Sequence, residues 1–345
     1  MKTDEDNNQN QAFKAEIGSD LAGKRLDHAL VALFKQFSRS QLQVWTKDGY
    51  ILVNSRIRNP SDKVSIGDQI LLKVPSIDRI YVKGQPIALN IIFEDDEIIV
   101  INKDAGIVVH PGAGNSDGTI QNGLVFHNKH LSKLPRAGIV HRLDKDTSGL
   151  MVVAKTMKSY LYLINALANR KVKRIYRAIT IGRTLDAGTI NLPIGRHQTN
   201  RIKMAINSKG KEAITHYKKL KNFLYHSYLE VELDTGRTHQ IRVHFSHLGH
   251  PIVGDKTYNK NKIGQKNMAN NCKLIISQFN RQALHAESLT FNHPFSMKLM
   301  QWRAPLPNDI ENLLIALEVN EVCGKEEFDE NYKIALENRA KQKND

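Results

Sequence analysis

The sequence predicts an α+β protein: a mixed, mostly antiparallel sheet domain with flanking helices, preceded by a small α/β domain. Three observations carry this. Short segments that alternate apolar and polar residues recur as hairpin-like neighbours, with no regular crossover helix between them. Ahead of them lies a self-contained run, about 17–75, of two helical patterns followed by short strands. The chain has 345 residues and 41% apolar content, which suits two domains with real cores.

The elements follow in order. Residues 1–15 open with MKTDEDNNQNQ and are expected to form a disordered tail, because almost nothing in them can be buried. The small domain is placed at 16–78. Leu26, Leu30, Leu33 and Phe34 recur at helical spacing. Ser38 suits the N-cap of a second helix carrying Leu42, Val44 and Trp45. A turn at Asp48-Gly49 leads into the strand YILVN, and Gly67-Asp68 turns into a second apolar strand. A linker is expected at 79–88 and the larger domain at 89–308. Its first segment, IIFEDDEIIVINKD, reads as two strands around an acidic turn, and YRAITIGR, AITHYKKL and SYLEVELD read as half-exposed strands. Residues 309–345 are expected to form one helix, with Ile310, Leu313, Leu314 and Leu317 on one face, and then a mobile charged tail.

Composition excludes several classes. No apolar run approaches the ~18 residues of a membrane span. The polar, acidic N-terminus is neither a secretory signal nor a transit peptide. Cys272 and Cys323 are too few for a disulfide framework or a four-cysteine metal site, so a cytoplasmic location is expected. Fifty Lys and Arg face thirty-five Asp and Glu, a net +15; residues 1–12 and 321–345 each carry −2, so 13–320 holds +19. A basic body suits a polyanion such as nucleic acid, although a merely basic enzyme fits the same number.

The stretch 137–156, AGIVHRLDKDTSGLMVVAKT, places a dense polar loop between two apolar elements, where reactive groups are commonly held. Several readings stay open from residue chemistry alone. His141, Asp144 or Asp146, and Ser148 could form a hydrolytic triad, though no Gly-x-Ser-x-Gly elbow is present. A turn of caps and ion pairs fits equally well. Further on, His239, His244, His247 and His250 include His-x-x-His spacing, which suits zinc or, alternatively, phosphate and backbone hydrogen bonds.

His141-Arg142-Leu143-Asp144 followed by Asp146-Thr147-Ser148-Gly149-Leu150 resembles the signature of the large-subunit rRNA branch of the pseudouridine synthases. Further motifs agree and keep the family's order over roughly 85–305. They are Lys173 to Ala178 around Tyr176, Leu233 to His244 around Arg242, Gly249 to Asp255, and Arg281 to Ala286 with Phe291 and His293-Pro294. The small domain resembles the S4 RNA-binding domain through Arg25-Leu26-Asp27, Ser38-Arg39-Ser40, Gly49 with Val53-Asn54, and Gly67-Asp68. The layout and length look most like the synthase D type of the family.

The resemblance implies isomerisation of uridine to pseudouridine in large-subunit (23S-type) rRNA, with helix 69 as the expected target. Other rRNA or tRNA uridines are the alternative, as is a non-catalytic ribosome-assembly binder. By alignment Asp144 is the catalytic carboxylate, Arg242 its partner and Tyr176 the ring that stacks on the uracil. Arg142 is the candidate to fill the gap left by the flipped base. His141, Arg237 and His239 are further RNA-binding candidates. Lys24, Arg25 and Arg39 are expected on the RNA face of the small domain, and Lys35 and Lys47 could join them. Clusters around Arg170, Lys171, Lys173, Arg174, Arg177 and around Arg196, Arg201, Lys203, Lys209, Lys211 could track phosphates. No cofactor and no metal are implied. The expected partner is large-subunit rRNA or the pre-ribosomal subunit, met by a monomer away from membranes.

Overall fold

The computed structural model describes residues 12–34, 37, 39–73, 82–112, 115–200, 202–259, 268–323 and 327–342. The chain divides into two compact units, Met1–Tyr81 and Val82–Asp345.

The first unit contains β1 (Ala12–Glu16), α1 (Leu26–Leu33), α2 (Arg39–Lys47), β2 (Ile51–Val53) and β3 (Gln69–Lys73), with an antiparallel sheet in the order β1-β3-β2. Leu26 and Leu30 of α1, Leu42 of α2, and Ile51, Val53, Ile70 and Leu72 of the strands form its core. Val44 is exposed and Trp45 is half-buried, so the apolar stripe of α2 is narrower than its sequence suggests. Ser38 and Lys35 lie outside the described residues. The disordered tail expected over 1–15 is corrected at its end: Ala12–Glu16 pairs along β3. The polar run stops at Gln11, and Phe13 then packs against Phe34 and Phe37 at ring distances of 6.3 and 5.9 Å. A single aromatic suffices to seat an edge strand whose backbone finds partners on one side.

The second unit begins with β4 (Ile91–Glu94), β5 (Ile98–Lys103) and α3 (Ile120–His127). It continues with β6 (Ser148–Ala154), α4 (Met157–Ala168), β7 (Lys173–Ile181), β8 (Ala187–Asn191), β9 (Ile194–Arg196) and β10 (Met204–Ile206). Then come β11 (Ile214–Asn222), β12 (His226–Leu233), α5 (Gln240–His247), α6 (Asn270–Gln278), β13 (Leu284–Asn292), β14 (Leu299–Arg303), α7 (Asn308–Cys323) and α8 (Phe328–Gln342). Among the described residues nine strands form one sheet, β4-β5-β6-β13-β7-β12-β11-β8, with β14 on β13; β9 and β10 make a separate hairpin. Every pairing in the large sheet is antiparallel except β6 with β13, which run parallel at Ser148–Gly149 against His285–Ala286.

The central strands are covered on both faces. Ile99, Ile101, Met151 and Val153 point to one core with α3, α5 and α7. Ile98, Val100, Leu150 and Val152 point to the other, with α4 and Trp302. All seven residues of β6 are buried, which is why this stretch reads as a continuous apolar run.

Two further boundaries differ from expectation. Within 79–88, residues 79–81 lie outside the described residues, and 83–87 are tied to the second unit: Gln85 N–H donates to the Asn122 carbonyl, and Asn122 Nδ2 to that of Lys83. The charged tail is instead largely helical. In α8, Phe328 is buried and stacks with Tyr332 at 5.5 Å, and Tyr332 Oη donates to the Asn312 carbonyl of α7.

Candidate active site

The polar loop before β6 is fastened from several sides. Thr147 N–H donates to the Asp144 carbonyl and closes a turn. His141 Nε2 accepts the Val152 N–H at 3.0 Å. Burial, aided by the Arg174 charge, pushes the His141 imidazole down to about 3, so it is neutral with its proton on Nδ1. Lys103, at the buried end of β5, donates from Nζ to the carbonyls of Asp104, Ile107 and Lys145 at 2.7, 3.0 and 2.9 Å. Burial lowers its pKa to about 8 against the pull of Asp146 and Asp144. Gln282 Nε2 donates to Thr147 Oγ1, and Arg281 donates to the Asp146 carbonyl while pairing with Asp309. Asp144, inside this frame, keeps 15% of its side chain exposed.

Arg242 comes from the first turn of α5, 98 residues further on, and donates from Nη1 to Asp144 Oδ2 at 2.9 Å. The turn that launches α5 is closed by Gln240, whose Oε1 accepts from Thr235 Oγ1 and the Arg237 N–H. His239 takes the left-handed conformation (φ 57°) just before the helix. Behind Arg242 stands Asp255, fully buried, which it grips through Nε at 2.6 Å and Nη2 at 2.9 Å. The ring of Tyr258 lies 5.1 Å from the guanidinium. Burial alone would weaken the charge on Arg242, but its hydrogen bonds to Asp255 and the charges of Asp144 and Asp255 outweigh it, so its pKa is raised.

Tyr176 sits in β7 between Val231 of β12 and Ala286 of β13, and it is buried. Burial raises its hydroxyl pKa, with Asp144 adding to the shift, so the phenol is neutral near pH 7. Asp144, Tyr176 and Arg242 line one pocket of about 360 Å³, together with His110, Arg136 and Arg142. That volume suits a small ligand such as a nucleoside.

Comparison with known proteins bears directly on this arrangement. Residues 97–247 match the family described as RNA pseudouridylate synthase, and 24–70 match the S4 domain. The chain is 44% identical over 318 residues to ribosomal large subunit pseudouridine synthase D of Haemophilus influenzae, covering 92% of this chain and 98% of the relative. It is 46% identical over 303 residues to the protein of that name from Pseudomonas aeruginosa, covering 88% and 95%. The chain belongs to the ribosomal large-subunit pseudouridine synthase D family. It is therefore an RNA-modifying isomerase with an N-terminal S4 domain. The fold is also similar to that of human RNA pseudouridylate synthase domain containing 4, with TM-score 0.50 and 24% identity over 65% of this chain and 93% of that one.

Other candidate residues of the synthase fall into place differently. Ser148 is buried and hydrogen-bonds His285 Nδ1 at 2.9 Å, so it makes no triad with His141. His244 is spent on Thr215 Oγ1 and the Leu192 carbonyl, and His250 on the Ile181 carbonyl. Among the described residues no three His, Cys, Asp or Glu could hold a metal ion, and no helix is long and apolar enough to cross a membrane. His239 places Nε2 at 3.9 Å from Asp144 Oδ1 and Nδ1 at 2.8 Å from Tyr258 Oη, while Arg237 Nε donates to the Glu212 carbonyl. Arg142 is exposed on the loop.

The basic cluster at 170–177 is not a free phosphate track. Arg170 pairs with Glu212, Lys173 with Glu232, and Arg177 with both Glu230 and Glu287, while buried Arg174 donates to the carbonyls of Leu233 and Asp234. In the second cluster Lys203 Nζ donates to the Thr257 carbonyl, and Arg201 lies outside the described residues. In the S4 domain, Arg25 and Arg39 converge on fully buried Asp27 at 3.1 and 2.8 Å, with Gln43 joining them. Burial would raise the Asp27 pKa, but these bonds hold it well below the usual carboxylate range. Both guanidiniums stay half exposed beside exposed Lys24.

Sequence reasoning passed over Lys103 and gave Asp255 no role. A lysine ending an otherwise apolar strand, and an aspartate closing the Gly249–Asp255 motif, were the available signals.

Proposed function

We propose that this synthase isomerises uridines in large-subunit rRNA, with helix 69 as the target, and that Asp144 is its catalytic carboxylate. The observation that carries this reading is the Asp144–Arg242 pair, 2.9 Å apart, in a pocket also lined by Tyr176. The target base must leave its stack, which costs a few kcal/mol, and exposed Arg142 beside Asp144 fills the gap it leaves. Tyr176 then offers its ring face to the uracil. The Asp144 carboxylate, oriented by the Arg242 guanidinium, acts at the ribose. It either attacks C1′ or removes a sugar proton to form a glycal. In both routes the N1–C1′ bond breaks, the uracil turns, and C5 bonds to C1′. The proton lost from C5 is balanced by the one gained at N1, and the neutral Tyr176 hydroxyl assists that transfer. Atoms and electrons balance within the substrate itself. His141 holds the loop, Arg237 and His239 meet RNA at the pocket rim, and Lys24, Arg25 and Arg39 bind it through the S4 domain.

The test is tritium release from large-subunit rRNA carrying 5-tritiated uridine. We expect release by the wild type, loss of roughly a thousand-fold or more in Asp144→Asn, and RNA affinity nearly unchanged, because one charge in a wide basic footprint is altered. Collapse of binding together with turnover would make Asp144 structural. No release by the wild type would favour an assembly binder. Mapping pseudouridines in a deletion strain checks the target: losses confined to other rRNA positions or to tRNA would displace helix 69.

A further inference from the structure

Three of the five arginines that line the pocket are already engaged: Arg242 pairs with Asp144 and Asp255, and Arg174 and Arg237 donate to backbone carbonyls. Arg136 and Arg142, both exposed and both lining the pocket, pair with no carboxylate among the described residues. His110 lines the same pocket, and its Nδ1 is buried without a hydrogen-bond partner among the described residues. An orphaned buried ring nitrogen calls for a ligand atom that completes it. The backbone that presents Arg136 is also unusual. Arg136 and Ala137 are both left-handed, at φ 51° and 53°, followed by Gly138 at φ 81°. Consecutive left-handed non-glycine residues are strained and persist where the surrounding structure imposes them, often at binding sites. Here Gly138 is required, since a Cβ would collide with the Ala154 carbonyl of β6.

We propose that His110 and Arg136 form a subsite that grips an RNA backbone phosphodiester next to the flipped uridine, while Arg142 stays with the gap left by the base. This rests on the reading that the pocket receives a uridine. A phosphodiester offers what these two groups lack: acceptor oxygens for an imidazole N–H and a guanidinium fork, and a negative charge beside the Arg136 cation. A uracil or a ribose hydroxyl would leave the Arg136 cation unneutralised. The imidazole is suited to the task, because burial and then the charges of Arg142 and Arg136 lower its pKa and keep it neutral until an anion arrives. The subsite thus fixes the backbone beside the target, which helps bring the ribose to Asp144.

The experiment measures kcat/KM for tritium release from large-subunit rRNA across a potassium chloride series. It compares wild type, Arg136→Ala, Arg136→Lys, His110→Ala, His110→Gln and the double alanine variant. Arg136→Ala should lose about ten-fold and flatten the log–log salt slope by about 0.7–0.9, the share of one phosphate, and Arg136→Lys should restore the slope. His110→Ala should lose about ten-fold, with partial recovery in His110→Gln, which keeps an N–H donor. The double variant should lose less than the product of the singles, since both grip one phosphate. An unchanged slope in Arg136→Ala, or fully multiplicative losses, would overturn the proposal. Arg136 is exposed, so its variants report even if a His110 variant folds poorly. The same salt slopes taken from equilibrium rRNA binding read the subsite without turnover, so failure of the chemistry and failure of the subsite are told apart.

Discussion

Asp255→Asn asks whether the guanidinium beside Asp144 is aimed by the carboxylate behind it. Asp255 is 0% exposed and Arg242 7%. The amide removes one charge and turns one acceptor into a donor that faces an Arg242 N–H. Breaking a buried ion pair by removing one partner costs about 3–5 kcal/mol. Here Asp144 remains as a counter-ion and the amide oxygen, in the Oδ1 place, retains one bond from Arg242 and those from the Thr257 and Tyr258 amides, so about 2–3 kcal/mol is expected. In a unit of this size that lowers the melting temperature by roughly 5–10 °C. A guanidinium freed from its bidentate grip no longer holds Asp144 in register, and a misplacement near 1 Å costs about a hundred-fold. The assays are calorimetry and single-turnover tritium release well below both melting transitions. The loss should fall on kcat, with KM little changed. A lowered melting temperature with an unchanged rate would refute the positioning role, and no change in either would refute the whole account. Asp144→Asn is the comparison: Asp144 is partly exposed and Arg242 keeps its buried partner, so its melting temperature should shift much less.

Three further outcomes are expected. His226 is fully buried with both ring nitrogens unpartnered among the described residues, and burial pushes its pKa down to about 4. The unfolded chain, near 6.5, binds the proton first. Stability from this group is therefore complete above about pH 6.5 and falls away towards pH 4, by about 3 kcal/mol in all. His226→Leu should flatten the acid limb of melting temperature against pH, and equal slopes would refute this. Lys103→Met strips Nζ from three carbonyls, including that of Lys145 next to Asp144. It should cost about 2–4 kcal/mol in a denaturant melt and lower kcat; wild-type kcat would refute the role in holding the loop. Gly149 has φ 115° and lies against the Ala286 backbone of β13, so a Cβ there must part the parallel pair. Gly149→Ala should lose more than about 4 kcal/mol, and a wild-type melting temperature would refute that.

What could be read from the sequence depended on range. Strands such as SYLEVELD and the two around the acidic turn at 95–97 were legible because period-two alternation is local. The polar loop at 141–148 was legible as a site, but its residues alone allowed a triad. Excluding that triad required the bond from Ser148 to His285, 137 residues away. Asp144, Tyr176 and Arg242 were named together only through family motifs, since nothing local joins positions 98 residues apart. The cluster at 170–177 misled for the same reason: its carboxylate partners Glu230, Glu232 and Glu287 lie on β12 and β13. The C-terminal helix α8 was hidden by composition. Its charges dominate the count, while Phe328, Tyr332 and Ala335 supply the few apolar contacts that dock it.

Two carboxylates flank Arg242, and their surroundings separate their uses. Asp255 accepts both arms of the guanidinium and the amides of Thr257 and Tyr258, with no exposed side-chain surface. Its lone pairs are occupied, and a substrate cannot reach it. Asp144 accepts one guanidinium N–H on Oδ2, while among the described residues its Oδ1 has only His239 Nε2 at 3.9 Å, too far for a hydrogen bond. It lines the pocket and retains exposure. A carboxylate that is to act at a ribose needs an oxygen free to approach it and a cation that stays in place as charge moves. Asp144 has the first and Arg242 supplies the second, because Asp255 holds the guanidinium from behind. This division is why we assign the chemistry to Asp144 and the aiming to Asp255, and it sets the contrast expected between their asparagine variants. The first should keep its melting temperature and lose turnover, whereas the second should lose part of both.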